Sequence, residues 1–119
     1  KQERPSLDTV FEIEHIYARN RYDMEKSLSS KDVVDMLGNK SILEKRINIR
    51  ASDFRFGDKM KYYNGYTTSK GDAKKATCVL ELKQLAKTKT DFAETDIKER
   101  TITILEAFGR FLDEQGLIK

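Results

Sequence analysis

The chain has 119 residues, 38% of them hydrophobic and 36% charged, with a net charge of +3, so one domain with a single modest core under a heavily charged skin is expected. No apolar run approaches the roughly 20 residues needed to span a membrane as a helix, and the polar start Lys1-Gln2-Glu3-Arg4-Pro5 does not read as a signal peptide. The one cysteine, Cys78, excludes an internal disulfide and a cysteine-based zinc site; a reduced, cytoplasmic setting fits, and the missing initiator methionine implies a piece of a longer protein.

In chain order, residues 1–9 read as a leader broken by Pro5 and Ser6. Phe11-Glu12-Ile13-Glu14-His15-Ile16 alternates apolar and polar residues, the pattern of a half-buried strand over 10–16. In a strand Phe11, Ile13 and His15 share one face, and Glu12, Glu14 and Ile16 the other. Tyr17 to Ser30 is polar and aperiodic, a loop with at most a short helical turn. Ser30 then suits the N-cap of a helix carrying Val33, Val34 and Leu37, with Gly38 as its C′ stop. Asn39-Lys40-Ser41-Ile42-Leu43 is expected to be a second strand pairing with the first.

Lys45 to Arg50 reads as a basic connector bearing Asn48. Ser52 or Asp53 is placed to cap the next helix, whose apolar positions Phe56, Met60 and Tyr63 fall at i, i+4 and i+7, with Asn64-Gly65 ending it. Thr67 to Lys75 is a polar, lysine-rich loop. Two helices follow. Thr77 is placed to cap the first, with Val79, Leu80, Leu82 and Leu85 inside. The second starts near Thr95 or Asp96, carries the stripe Ile97, Thr101, Ile104, Leu105, Phe108, Phe111 and Leu112, and stops near Gly116. Both are expected to be core scaffold.

Charge is unevenly spread. Between Lys40 and Lys75 ten basic residues face four acids, leaving +6 there and −3 over the rest. A basic middle interleaved with Phe54, Phe56, Tyr62, Tyr63 and Tyr66 suits a polyanion such as DNA; the plainer alternative is a solvated charged surface.

Strand, insertion, short strand and helix outline a ββα unit. Its polar punctuation is Glu14-His15, Gly38-Asn39, Asn48, Asp53 and Lys59. An acid–histidine pair followed by spaced asparagines suits metal-assisted phosphodiester hydrolysis, which needs a base for water and oxygen donors for a hard cation. The ordered segments Ile13-Glu14-His15-Ile16, Leu37-Gly38-Asn39-Lys40-Ser41-Ile42-Leu43, Ile47-Asn48, then Phe56 with Lys59 and Tyr63, and Ile97-Lys98-Glu99-Arg100 together resemble the C-terminal HNH-type nuclease domain of GmrSD-type restriction endonucleases. That group is a branch of the His-Me finger (ββα-metal) superfamily. Ala18 stands where the family has a proline and Lys40 where it has a leucine; neither change removes a chemical group.

The resemblance implies an α+β domain: a ββα-metal core over 10–63, packed against C-terminal helices over 77–116. It implies metal-dependent cleavage of foreign, often base-modified, phage DNA. His15 is similar to the general base, Asn39 to the asparagine that orients it, and Lys59 to the helix lysine that meets phosphate or stabilises the site. Glu14 and Asn48 match metal-ligand positions, and Asp53 is a competing ligand; the ion would be Mg2+ or Mn2+. Relatives join such a domain to an N-terminal nucleotide-dependent domain. The alternative is a degenerate nuclease-like domain that only binds nucleic acid or docks to a partner.

Overall fold

The computed structural model describes residues 9–51 and 56–116. The leader, apart from Thr9, and the two residues expected to cap the helix of Phe56, Ser52 and Asp53, lie outside them. The expected strand pair is present. Strand β1 (Phe11–His15) runs antiparallel to β2 (Lys40–Glu44), with Ile13 opposite Ile42, Glu14 opposite Ser41 and His15 opposite Lys40. The hairpin turns its acidic face inward. Glu14 is 2% exposed, while Ile13 and Ile42 are 58% and 51% exposed. Glu14 is therefore not the surface acid that its strand position alone would suggest.

The segment between the strands is more ordered than its composition suggests. Helix α1 (Arg19–Glu25) fills the stretch expected to be loop. Tyr22 packs partly against the core, and the one buried residue of the helix is Arg21. That guanidinium stacks 4.4 Å from the Tyr17 ring centre and donates to both Asp91 oxygens at 2.7 and 3.0 Å, a geometry strong enough to order a short polar helix. Ser30 caps as expected, its hydroxyl accepting from the Asp32 amide at 3.2 Å. What it caps, however, is a 3-10 turn (Lys31–Asp35) followed by another (Leu37–Asn39), rather than an α-helix.

Gly38 is not a left-handed C′ stop. A β-carbon there would overlap the Ile97 carbonyl and Thr101, and its amide donates to the Thr101 hydroxyl at 2.8 Å. Glycine is needed for close approach to the last helix.

Strand β2 passes directly into helix α2 (Lys45–Ala51), where a basic connector was expected. Ile47, 3% exposed, is its inward anchor. Helix α3 (Phe56–Asn64) buries Phe56 and Tyr63 and half-buries Met60, on the face the spacing indicates. Gly65, at φ 85°, ends it in the conformation glycine tolerates. Inside the lysine-rich loop a two-residue hairpin forms, β3 (Tyr66–Thr67) with β4 (Ala73–Lys74). Helix α4 (Leu80–Thr88) buries Leu82 and Ala86 but leaves Leu80 56% exposed, contrary to expectation. Thr77 accepts from the Val79 amide at 3.1 Å and also donates to Glu44 at 2.5 Å, so its hydroxyl ties α4 to β2.

Helix α5 (Glu94–Glu114) begins slightly earlier than expected, with Asp96 accepting from the Ala93 amide at 2.9 Å. Its clean apolar stripe is only partly core. Ile97 is buried, whereas Leu105, Phe108 and Phe111 are 55%, 57% and 52% exposed. Periodicity reports an apolar face, not what covers it.

The architecture is thus mixed α+β: two small antiparallel sheets and five helices among the described residues. The core gathers Ile16, Tyr17, Val34, Leu43, Phe56 and Tyr63 with Leu82, Phe92 and Ile97, each full burial stabilising by about 1.5–3 kcal/mol. No helix among the described residues is long and apolar enough to cross a membrane.

Two outcomes follow from this packing. Gly38→Ala should destabilise the chain by about 1–3 kcal/mol through overpacking against α5, read by urea denaturation at unchanged slope. Acid should also weaken the fold. Arg21 holds Asp91 below its ordinary carboxylate range, and Lys98 with Ser29 pulls Glu94 down to about 2. Depressed carboxylates contribute stability above their unfolded values and lose it as pH falls through the folded ones. Thermal midpoints should therefore drop between about pH 4.5 and 2, a window set by these two shifts.

Candidate active site

His15 closes β1 with 19% of its side chain exposed. Its backbone is held from two directions. The fully buried Lys59 ammonium, rising from α3, donates to the His15 carbonyl at 2.6 Å and to Glu14 Oε2 at 2.9 Å. Tyr63, one turn further along α3, donates to the same oxygen at 2.6 Å. Burial, and then the adjacent Glu14 charge, push the Tyr63 hydroxyl well above its ordinary pKa, so it remains a donor.

From the other side comes Asn39, also fully buried. Its carbonyl oxygen accepts from the Tyr17 amide at 2.7 Å, and its amide donates to the Tyr17 and Val34 carbonyls at 3.0 and 2.8 Å. One carboxamide thus staples the chain after His15 to the 3-10 turn that carries Asp35. Arg100 of α5 supports the same corner, donating to the Gly38 and Lys40 carbonyls at 3.0 and 2.7 Å and pairing with both oxygens of Glu81.

The ring itself faces Asp35 and Arg19. Its Nε2 stands 3.5 Å from Asp35 Oδ1, and the same oxygen accepts from Arg19 Nη2 at 3.2 Å. Lys40 is directly across the hairpin. Burial, then the Arg19 charge, then Lys40 lower the His15 pKa against the opposing pull of Asp35, so the net direction is down. The imidazole is therefore neutral and able to accept a proton near neutral pH. Beside it Arg19, Tyr22, Lys31 and Asp35 line a cleft of about 450 Å3.

His15, Asn39 and Lys59 are thus brought to one strand end, with the asparagine and lysine reaching the backbone rather than the ring. Glu14 meets Lys59 but not the ring, and Asn48 joins neither. Glu14 points to the buried face, and Asn48 on α2 donates to Glu12 at 3.1 Å on that same side of the hairpin. Asp53 lies outside the described residues. Among the described residues no three His, Cys, Asp or Glu side chains gather into a metal-binding group. Glu14 does not fit a cation as placed, because Oε2 already takes an ammonium and a hydroxyl. Arg19 and Asp35 look like ordinary surface charges in the sequence; the Asn39 clamp on Tyr17 and Val34 ties their neighbours together beside the histidine.

The class of protein these features define is a small α+β domain organised around a strand-end histidine. A family model for the C-terminal domain of GmrSD restriction endonucleases matches residues 1–107. The chain belongs to that family, and is therefore a restriction-endonuclease-related domain. No curated protein and no solved structure matches it.

The buried pair behind the ring yields a checkable energy. Lys59→Met should cost about 3–5 kcal/mol, since it strands the Glu14 charge. Adding Glu14→Gln should recover part of that loss, giving a favourable coupling in a denaturation double-mutant cycle.

Proposed function

We propose that this domain cleaves DNA phosphodiester bonds as an HNH-type endonuclease, with its ββα unit within residues 10–63. The observation that carries the reading is His15: an imidazole fixed at a strand end, facing Asp35 and Arg19, with Lys40 across the hairpin. Family membership supplies the restriction context. The direct passage of β2 into α2 supports the ββα order.

In this reading His15 takes a proton from water as its oxygen bonds to phosphorus. The bond from phosphorus to one ester oxygen breaks, and that oxygen leaves and gains a proton. Arg19 and Lys40 offset the charge developing on the phosphoryl oxygens. Lys59 is completely buried, so its part is to hold the His15 carbonyl rather than to meet phosphate. Exposed basic residues such as Lys45, Arg46, Lys61 and Lys70 would hold the DNA backbone without reading its sequence. The reaction class calls for a divalent ion, Mg2+ or Mn2+. With Glu14 committed to Lys59 and Tyr63, its donors would have to come from other groups, and no step above passes through it. The full-length protein would restrict foreign, modified DNA in the cytoplasm together with an N-terminal nucleotide-dependent domain.

The absence of a gathered ligand set among the described residues favours one other reading, a nuclease-like domain that binds DNA or docks without cutting it. Plasmid nicking with Mg2+, Mn2+ or EDTA separates the two. The chain should nick with a metal, and His15→Ala should slow nicking by about 10²–10⁴-fold. Equal nicking by the variant would remove His15 as the base. Plasmid binding without nicking under every metal would leave the non-catalytic domain.

A further inference from the structure

We propose that Asp35 is a positioning residue for His15: its carboxylate orients the ring and keeps the ring proton on Nε2, so that Nδ1 presents its lone pair to water. The proposal rests on His15 acting as the base.

Its starting point is an unsatisfied atom. Among the described residues, His15 Nε2 is the one buried side-chain nitrogen or oxygen without a hydrogen-bond partner. A buried polar group left unpaired is disfavoured, so such an atom calls for a partner supplied by motion or by ligand. The acid facing it is Asp35, whose Oδ1 lies 3.5 Å away, just beyond hydrogen-bond reach. Asp35 is 55% exposed, so a small side-chain rotation closes that gap without disturbing the core.

Asp35 Oδ1 is shared with Arg19, whose own side chain is 67% exposed. A phosphodiester is, like a carboxylate, a bidentate partner for a guanidinium, and it competes with Asp35 for Arg19. Substrate arriving at Arg19 therefore releases Oδ1 toward Nε2, and the contact tightens when it is needed, as catalytic hydrogen bonds that are long without substrate commonly do. The distance between the partners is set by Asn39, which bonds to Val34, next to Asp35, and to Tyr17, two residues past His15.

The chemistry follows from the two ring nitrogens. A neutral imidazole carries its proton on one nitrogen and its lone pair on the other. A carboxylate against Nε2 selects the Nε2–H form. When Nδ1 takes the proton from water, both nitrogens carry hydrogen and the new positive charge lies against Asp35. Arg19 and Lys40 oppose that charge, and Asp35 is the group that balances them.

His15 is the sole histidine, so its ring nitrogens are assigned without ambiguity in long-range 1H–15N spectra. Spectra of the 119-residue chain, taken where the ring is neutral, should show mostly the Nε2–H tautomer. Asp35→Asn should erase that preference, and Asp35→Glu should restore much of it. In nicking assays Asp35→Asn should lower kcat by about 10–10³-fold with KM little changed, and Asp35→Glu should recover part of the rate. Identical tautomers in wild type and Asp35→Asn would overturn the proposal, as would a tautomer change with undiminished nicking. A tautomer change in a chain that nicks under no condition would support the pairing and refute the nuclease reading.

Discussion

The ammonium of Lys59 has no contact with solvent. An unpaired charge in that position would cost many kcal/mol. The fold meets this demand with two acceptors from one strand, the Glu14 carboxylate and the carbonyl of the next residue, His15. Because the acceptors are neighbours on β1, satisfying the lysine also fixes the backbone from which the imidazole hangs. Tyr63, reaching the same carboxylate from the same helix, completes the junction. A purely apolar contact at this place would have packed α3 against the hairpin equally well. It would not have specified the height and rotation of the strand end.

The hairpin consequently works as a partition. Behind it lie charges consumed in holding structure: Glu14 with Lys59, Glu12 with Asn48. In front lie groups with capacity to spare: a ring nitrogen without a partner, a half-exposed carboxylate and a mostly exposed guanidinium. Asn39 passes between the two sides, spending its carboxamide on the main chain so that the front is held without being filled.

Much of this was legible in the residues and some was not, for reasons that differ from place to place. The β1–β2 pairing and the inward face of α3 follow from periods of two and 3.6, which depend on near neighbours alone. Helix α2 carries no clear period, because Ile47 is buried between the exposed charges of Lys45 and Arg46 and the polar Asn48. Helix α1 carries none either, because its one buried residue is Arg21, whose partner Asp91 lies seventy positions away. Glycine 38 was recognisable as special, yet its reason sits on α5, beyond any local pattern. At the site, His15 stood out by composition and Asn39 by its place after Gly38. The commitment of Glu14 to Lys59, across forty-five positions, could be known only from the folded chain. The stripe on α5 is apolar as its period indicates, yet largely uncovered, since a side chain's character does not disclose its neighbour.

The inward-facing acid has a bearing on how faithfully the two strands align. Alternating hairpins ordinarily find their alignment by hiding oily residues, and a slip by one position turns every side chain to the opposite face. Here a slip would suit Ile13 and Ile42, which lie largely in solvent. It would also leave the lysine beneath without its counter-charge. Electrostatic need therefore joins the burial of Leu43 in proofreading the match between the strands, and it does so beside the position where the histidine emerges.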